Sequence, residues 1–418
     1  MAKFNSTNKA LSTDLIYDVV IVGAGMSGSL LALSLLQKDK QLSILLLDEN
    51  AEREATKNSH VAENPSFDGR CIALNAGSLD ILNELALWEE IKPKAQVITK
   101  IEVSDKGYFG SLNLIPENYS NFFGYVVELQ HVGKALSAKL SSFSSLTILY
   151  NTKLKAIEQK VEHTRCYLSD GQIIQAKLCV GADGTNSQTR ELTKIDSTTM
   201  DYHCSAVICN VRCSVPHHNI AYERFTENGP IALLPLTDNR YSLVYCVKND
   251  QAEEVKALSN DAFLQRLQKA FGYRAGIFKE VGKRDVYPLS LVMTKKPLSH
   301  RVVCIGNAAH SLHPVAGQGF NLGLRDLHVL AKVIVTTEPK DLGTFSMLAR
   351  YWEYRKADHN RTILMTDTLV RVFSNHDHTL SIPRNISLQA MSLFPALTQP
   401  VIKQAKGQFD LFNRENLS

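Results

Sequence analysis

Nowhere in the 418 residues do two cysteines stand in C-x-x-C spacing, although the chain has eight of them. Their scatter argues against a zinc site and a disulfide framework, and for a reducing compartment. Cys204, Cys209 and Cys213 come nearest to a cluster, and their spacing suits strand positions rather than metal ligands. Charge of one sign is not in excess either: 46 basic against 42 acidic residues leave +4. With no basic run and no basic patch interleaved with aromatics, nucleic acid is excluded as a partner. The opening MAKFNSTNKALSTD lacks an apolar core and a cleavage pattern, so the expectation there is a polar lead-in rather than a signal peptide. Residues 19–37 carry no charge and approach the length of a membrane span. Three glycines and three serines interrupt them, with Asp18 before and Lys38-Asp39-Lys40 after, which fits a buried turn and helix instead. Internal repeats, low-complexity segments and a second G-x-G-x-x-G are also missing, and the last argues against a separate nicotinamide domain.

What is present is the composition of a globular protein, 44% hydrophobic and 21% charged, long enough for two domains. The chain is organised around residues 18–48. An apolar run at 19–22 stops at glycines, leucines recur at helical spacing over 30–36, and a second apolar run fills 44–47. The order strand, turn, helix, strand is a βαβ unit. Gly23, Gly25 and Gly28 form G-x-G-x-x-G at its first turn, for the tight turn, for backbone approach to a pyrophosphate, and for helix packing on strand. Asp48 follows Gly28 by 48 − 28 = 20 residues, where an acid can accept both ribose hydroxyls of an adenosine. The motif alone leaves NAD and FAD both open.

Further on, residues 50–65 read as a surface loop, sharpening at Phe67-Asp68-Gly69-Arg70. Arg70 is either a solvated loop residue or a cation near a cofactor's phosphates, which a guanidinium fork matches. Alternating segments at 98–127, with turns at Asp105-Lys106-Gly107 and Pro116-Glu117-Asn118, and a strand-rich stretch at 204–247 suggest two insertions into a nucleotide-binding fold. Between them a meander of short strands ends in a second glycine turn, Gly181-Ala182-Asp183-Gly184. A buried strand at 302–305 runs into small residues from Gly306 to Asn321, and helices follow to the end with a break at Pro383. Gly317 and Gly319, beside a helix start, offer N–H donors and a positive dipole end to an electron-rich ring edge.

Three stretches, GAGMSG, VGADGT and GNAAHSLHPVAGQGFNLGLRD, resemble the fingerprints of the FAD-dependent aromatic hydroxylases, whose fold is that of p-hydroxybenzoate hydroxylase. FDGRCIAL, VVELQHVG, YERFTENGPIALLPL and FGYRAGIFKEVGKRDVYPL are similar to the bacterial 2-polyprenyl-6-methoxyphenol hydroxylases of ubiquinone biosynthesis. The resemblance implies an α/β fold: a Rossmann-like FAD-binding domain (15–97, 126–195 and 288–345) interrupted by a strand-rich substrate domain (98–125 and 196–287), with a helical C-terminal region (346–418). It implies that Gly23, Gly25, Gly28 and Asp48 hold the ADP half of FAD and that Arg70 contacts the cofactor. Asp183 and Gly184 would lie near the pyrophosphate. Asn307 stands where the family has Asp, so it accepts and donates without the charge. Pro314, Gly317, Gln318, Gly319 and Asn321 would line the flavin, and Gly319→Val is expected to disturb it through both space and a backbone suited to glycine. Gln130 has no assigned role.

The implied reaction is reduction of FAD by NAD(P)H or another external donor, formation of a C4a-hydroperoxide with O2, and attack on it by the ring of a polyprenylated phenol. His310 and His313 are candidate bases for the phenol, against a plainer reading as packing or loop histidines, and Pro314 is the other residue placed beside the chemistry. An FAD oxidase or dehydrogenase, and a flavoprotein scaffold among other ubiquinone-biosynthesis proteins, are the alternatives. A cytoplasmic protein is expected, with at most peripheral contact at the inner membrane. The apolar segment 386–394, with Arg384 before it and Lys403 and Lys406 after, reads either as core packing or as a docking helix.

Overall fold

The computed structural model describes residues 15–50, 70–108, 110–116, 122–314, 317–373, 385, 387 and 389–407. The lead-in, Phe67-Asp68-Gly69, Glu117, Asn118, Val315, Ala316, Pro383, Arg384, Ile386 and Leu388 lie outside the described residues. In chain order come β1 (Ile16–Val22), α1 (Met26–Lys38), β2 (Ile44–Leu47), β3 (Cys71–Asn75), α2 (Ala76–Glu84), α3 (Trp88–Ile91), β4 (Gln96–Ile98), β5 (Lys100–Asp105), β6 (Ser111–Leu114), β7 (Gly124–Glu128) and α4 (Leu129–Leu140). Then follow β8 (Leu146–Leu149), β9 (Leu154–Gln159), β10 (Thr164–Leu168), β11 (Ile173–Gly181), α5 (Gln188–Leu192), β12 (Ser197–Cys213), β13 (Ile220–Thr226), β14 (Gly229–Leu236) and β15 (Arg240–Lys248). The last elements are α6 (Ala252–Ala257), α7 (Asn260–Phe271), β16 (Phe278–Val281), β17 (Asp285–Thr294), β18 (Leu298–Ser299), β19 (Val302–Cys304), β20 (His310–Ser311), α8 (Gln318–Val335), α9 (Phe345–Phe373) and α10 (Pro395–Lys406).

The first sheet runs β18-β19-β11-β1-β2-β8, with β10 and β9 added antiparallel beside β11. Its central strands are parallel, and β1 and β2 are buried on both faces, which is why they read as unbroken apolar runs rather than alternating ones. The charge-free stretch after β1 is explained the same way: α1 packs against α8 as well as the sheet, and residues 28–36 are all buried. Among the described residues no helix is long and apolar enough to cross a membrane. Parallel register also sets where the turns emerge. Val22 pairs with Gly181, and Gly181 with Cys304, so the turns after β1, β11 and β19 leave the sheet at one carboxyl edge.

The second sheet, β20-β17-β12-β15-β14-β13-β5-β6 with β16 beside β12, is mostly antiparallel and built around the long β12. One face packs Val207, Cys209, Leu233, Leu243 and Tyr245 against Phe263, Leu267 and Phe271 of α7. Alternation places Ile208, its partner Val244, and Leu234 on the opposite face. There the three are only partly buried, whereas their neighbours along the strands are closed from solvent. β20 pairs with β17, so the segment leaving the first sheet's edge joins the second sheet at once. A buried ion pair, Glu128 Oε1 to Arg240 Nη1 at 3.2 Å, ties the end of β7 to β15.

Candidate active site

The three glycine turns close on one another on the protein side and stay open on the other. A Cβ at Gly23, whose φ is +104°, would sit 2.5 Å from the carbonyl oxygen of Ala182, and one at Gly28 would sit 1.9 Å from that of Gly23. A Cβ at Gly306 would lie 2.6 Å from Ser27 Oγ, joining the third turn to the start of α1. By contrast a Cβ at Gly25, Gly184 or Gly319 would meet nothing within 4 Å. Backbone surface lacking side chains on its outer side is what a long flat cofactor needs to come close. The N-terminus of α1 has no side-chain cap, and neither has that of α8, so both leave amide N–H groups for an anion or an electron-rich ring. These observations fit FAD along the cradle.

The individual side chains are placed less uniformly. Asp48 Oδ2 accepts the Ala24 N–H at 2.9 Å, and Oδ1 accepts both the backbone N–H and the side-chain amide of Asn50 at 2.9 Å, so the acid braces the first turn while each oxygen keeps acceptor capacity. Both oxygens of Asp183 are engaged inside its own turn: Oδ1 accepts from Ser187 Oγ at 2.5 Å, Oδ2 from the Thr189 N–H at 2.8 Å. Its contribution is therefore the shape of the turn that presents Gly184. Asn307 is exposed at the edge after β19. Arg70 is exposed just before β3, with its guanidinium carbon 5.8 Å from the centre of the Tyr287 ring on β17. Pro314 accepts the Gly317 N–H at 3.1 Å, and Gln318 is buried.

Two expectations change. Asn321 does not offer its amide to a flavin: Oδ1 accepts from the Asn75 N–H at 3.0 Å and from Ser78 Oγ at 2.6 Å, and Nδ2 donates to Ala73 at 2.8 Å and to Gly317 at 2.7 Å. It staples the loop before α8 to β3 and α2. The left-handed backbone is at Gly317, φ +60°, and not at Gly319, where neither the backbone nor a protein neighbour within 4 Å requires glycine.

The histidines of this segment are both buried, and neither ring lies at the open edge. His310 Nε2 donates to Asp326 Oδ2 at 2.8 Å, while Asp326 Oδ1 accepts from Arg355 Nε at 2.8 Å and His359 Nε2 at 2.7 Å. Asp358 pairs with Arg325 at 2.7 Å and with Arg355 at 2.7 Å. Burial alone would push the Asp326 carboxyl up, but His359, Arg355 and His310 hold it well below the usual carboxylate range. Two carboxylates then balance two guanidiniums, and both imidazoles hydrogen-bond to Asp326. His310, Asp326 and His359 also have the spacing of metal ligands. A divalent cation there would add uncompensated positive charge beside two buried arginines, so the cluster is a structural lattice between α8 and α9. His313 lies on the second sheet's side, edge-on to Tyr202 with ring centres 5.1 Å apart, and burial lowers its pKa to about 4. Asp326 stood inside a recognised motif, but no local pattern in α9 announced that Arg355 and His359 meet it.

Comparison with known proteins agrees with this architecture. A family profile described as an FAD binding domain matches residues 16–363. The chain is 33% identical over 402 residues to the ubiquinone hydroxylase UbiL of Rhodospirillum rubrum, covering 96% of this chain and 92% of that one. It is 29% identical over 441 residues to the mitochondrial ubiquinone biosynthesis monooxygenase COQ6 of Homo sapiens, covering 94% and 92%. In fold it is similar to the crystal structure of p-nitrophenol 4-monooxygenase PnpA from Pseudomonas putida, with a TM-score of 0.75 at 18% identity over 94% of this chain and 99% of that one. With the glycine cradle and the paired sheets, these matches show that the chain belongs to the FAD-dependent monooxygenases of the ubiquinone hydroxylase family.

Proposed function

We propose that this enzyme hydroxylates the ring of a polyprenylated methoxyphenol, using O2 and an external donor such as NAD(P)H. The observation that carries this reading is one of placement. Three glycine turns share the carboxyl edge of the parallel sheet, and the second sheet presents Ile208, Leu234 and Val244 as a partly open apolar face. Bound FAD supplies the two-electron chemistry that activates dioxygen. The chain's own residues bind, orient and exclude water. The uncapped start of α1 with Gly25 takes the diphosphate, the remaining acceptor capacity of the Asp48 carboxylate takes the ribose, and Asn307 meets the polar middle of the cofactor. The Gly317–Gly319 loop and the first amides of α8 face the ring system. Arg70 and Tyr287 stand at the border between cofactor and substrate, and the apolar stripe holds an aromatic ring away from water.

The test uses the flavin-loaded enzyme, a short-chain prenylated methoxyphenol, NAD(P)H and isotopically labelled dioxygen, measuring product, peroxide and reductant consumed. Label is expected in the new hydroxyl. Oxygen taken from water, or oxidation without insertion, overturns the reading in favour of an oxidase or dehydrogenase. A yellow protein consuming neither reductant nor O2 with any phenol points to the scaffold. Asp48→Ala should weaken FAD binding by ~1.5–3 kcal/mol, roughly ten- to a hundredfold. Asn307→Asp should keep FAD and Asn307→Leu should lose it. Gly319→Val should give more peroxide and less product per NAD(P)H consumed.

A further inference from the structure

The C-terminal segment divides its apolar residues in an unusual way. Met391, Val401, Ile402 and Ala405 pack with Ile98, Leu112, Leu114, Phe123 and Leu236 in a buried cluster that includes Leu234 of the substrate-side stripe. A second tie is polar: Asn385 Oδ1 accepts the Gly110 N–H at 3.0 Å, and Asn385 Nδ2 donates to Asp105 Oδ2 at 3.1 Å. The segment is thus anchored, and core packing explains half of it. The other half points outward. Leu393 is 74% exposed, Phe394 61% and Leu397 52%, and Ile115, the residue after β6, is 59% exposed. On α10 the exposed positions Ala396, Leu397, Pro400 and Lys403 share one face by helical spacing, so the face that water should solvate is apolar and ends in a lysine. Residues 385–407 contain no aspartate or glutamate and two lysines.

We infer that the outward face of 393–403 is a docking surface for an anionic lipid bilayer. Isolated exposed leucines are ordinary, but Leu393 and Phe394 just before α10 and Leu397 in its first turn put three large apolar side chains in water within one short stretch that has an exposed cation and no acid, which suits a bilayer interface. A protein partner's acidic groups would meet a single exposed lysine here, whereas a bilayer accepts the apolar rings and chains directly and places Lys403 among anionic headgroups. The inference rests on the proposed substrate in one respect. Because Leu234 belongs to both the buried cluster and the substrate-side stripe, docking by this segment brings the stripe close to the membrane in which a polyprenyl tail resides.

The experiment is flotation of full-length, flavin-loaded protein with vesicles of phosphatidylcholine alone and of phosphatidylcholine with a minority of phosphatidylglycerol. Wild type should float with both, more strongly with the anionic vesicles. A variant carrying Leu393→Ser, Phe394→Ser and Leu397→Ser should lose at least roughly tenfold in partitioning, while keeping its flavin, its thermal midpoint and its turnover of a water-soluble short-chain phenol. Lys403→Glu should remove the preference for anionic vesicles and leave binding to phosphatidylcholine. Equal flotation of wild type and the triple variant overturns the inference, and so does wild type that floats with neither vesicle. A wild-type dimer that the triple variant converts to monomer overturns it too, by showing that a second copy covers the face. If wild type floats and the triple variant does not, yet no phenol is turned over, docking stands and the substrate reading fails.

Discussion

The junction of α8 with α9 and the outer face of the second sheet handle burial in opposite ways. At the junction, Arg325, Asp326, Arg355, Asp358 and His359 are between 0% and 3% exposed, and each charge is matched. On the sheet face three apolar residues, Ile208, Leu234 and Val244, are left partly open, while Asn210 and Ser242 beside them are buried. A region meant only to hold shape can close completely, even around charges, provided they balance. In the proposed substrate face, apolar surface stays unburied until the ligand arrives, and stability is the smaller for it.

Breaking the junction should have the largest effect. Asp326→Ala leaves Arg355 Nε and two imidazoles without an acceptor and the buried guanidiniums with one carboxylate between them, and should cost about 3–5 kcal/mol in urea denaturation of the flavin-loaded protein. A cost under about 1 kcal/mol would mean that the lattice carries no structural weight. Next comes the inner face of the same sheet. Leu243→Ala empties a fully buried site packed toward α7 and should cost about 2–5 kcal/mol.

Acid should separate the two regions. His313 has a folded pKa of about 4 against an ordinary 6.5, so its stabilisation is full above 6.5 and is lost as pH falls toward 4, amounting to about 2 kcal/mol by about pH 5. His328, also lowered to about 4 by burial first of all, contributes in the same window. Asp326 is held well below 3.8, so its own contribution is lost only in stronger acid. His313→Gln should therefore flatten part of the stability loss between pH 6.5 and 4, as measured by urea titrations at several pH values. An unchanged profile would place the acid sensitivity elsewhere. The smallest effect belongs to the open stripe: Val244→Ala should cost under about 1.5 kcal/mol, yet raise KM for the phenol. If it destabilises as much as Leu243→Ala and leaves KM alone, the stripe is core and not a binding face.

How much of this was legible beforehand follows from where the information lay. The βαβ unit, its three glycines and Asp48 were readable because strand, turn and helix are local periodicities, and the glycines meet neighbours close in sequence or in the next turn. The strand read at 302–305, found as Val302–Cys304, was readable for the same reason. Asp183 and Asn321 were readable as members of motifs but not in their roles, and His310 was open between a base and a packing residue, because each role depends on which way a side chain turns. Asp183 turns into its own loop, His310 into α9, and Asn321 toward β3. Asn321 reaches residues 246 and 243 positions away, and Asp326 reaches His359 across a helix pair. Sequence alone determined the nucleotide-binding βαβ unit, since backbone turns and apolar periodicity specify it, and the likeness of its three glycine motifs to those of the FAD-dependent aromatic hydroxylases supplied the family and the cofactor. Only the tertiary structure decided which polar groups face the cofactor and which brace the scaffold. A hydrogen bond is satisfied by whatever the folded chain brings within about 3 Å, and nothing local in the sequence records that distance.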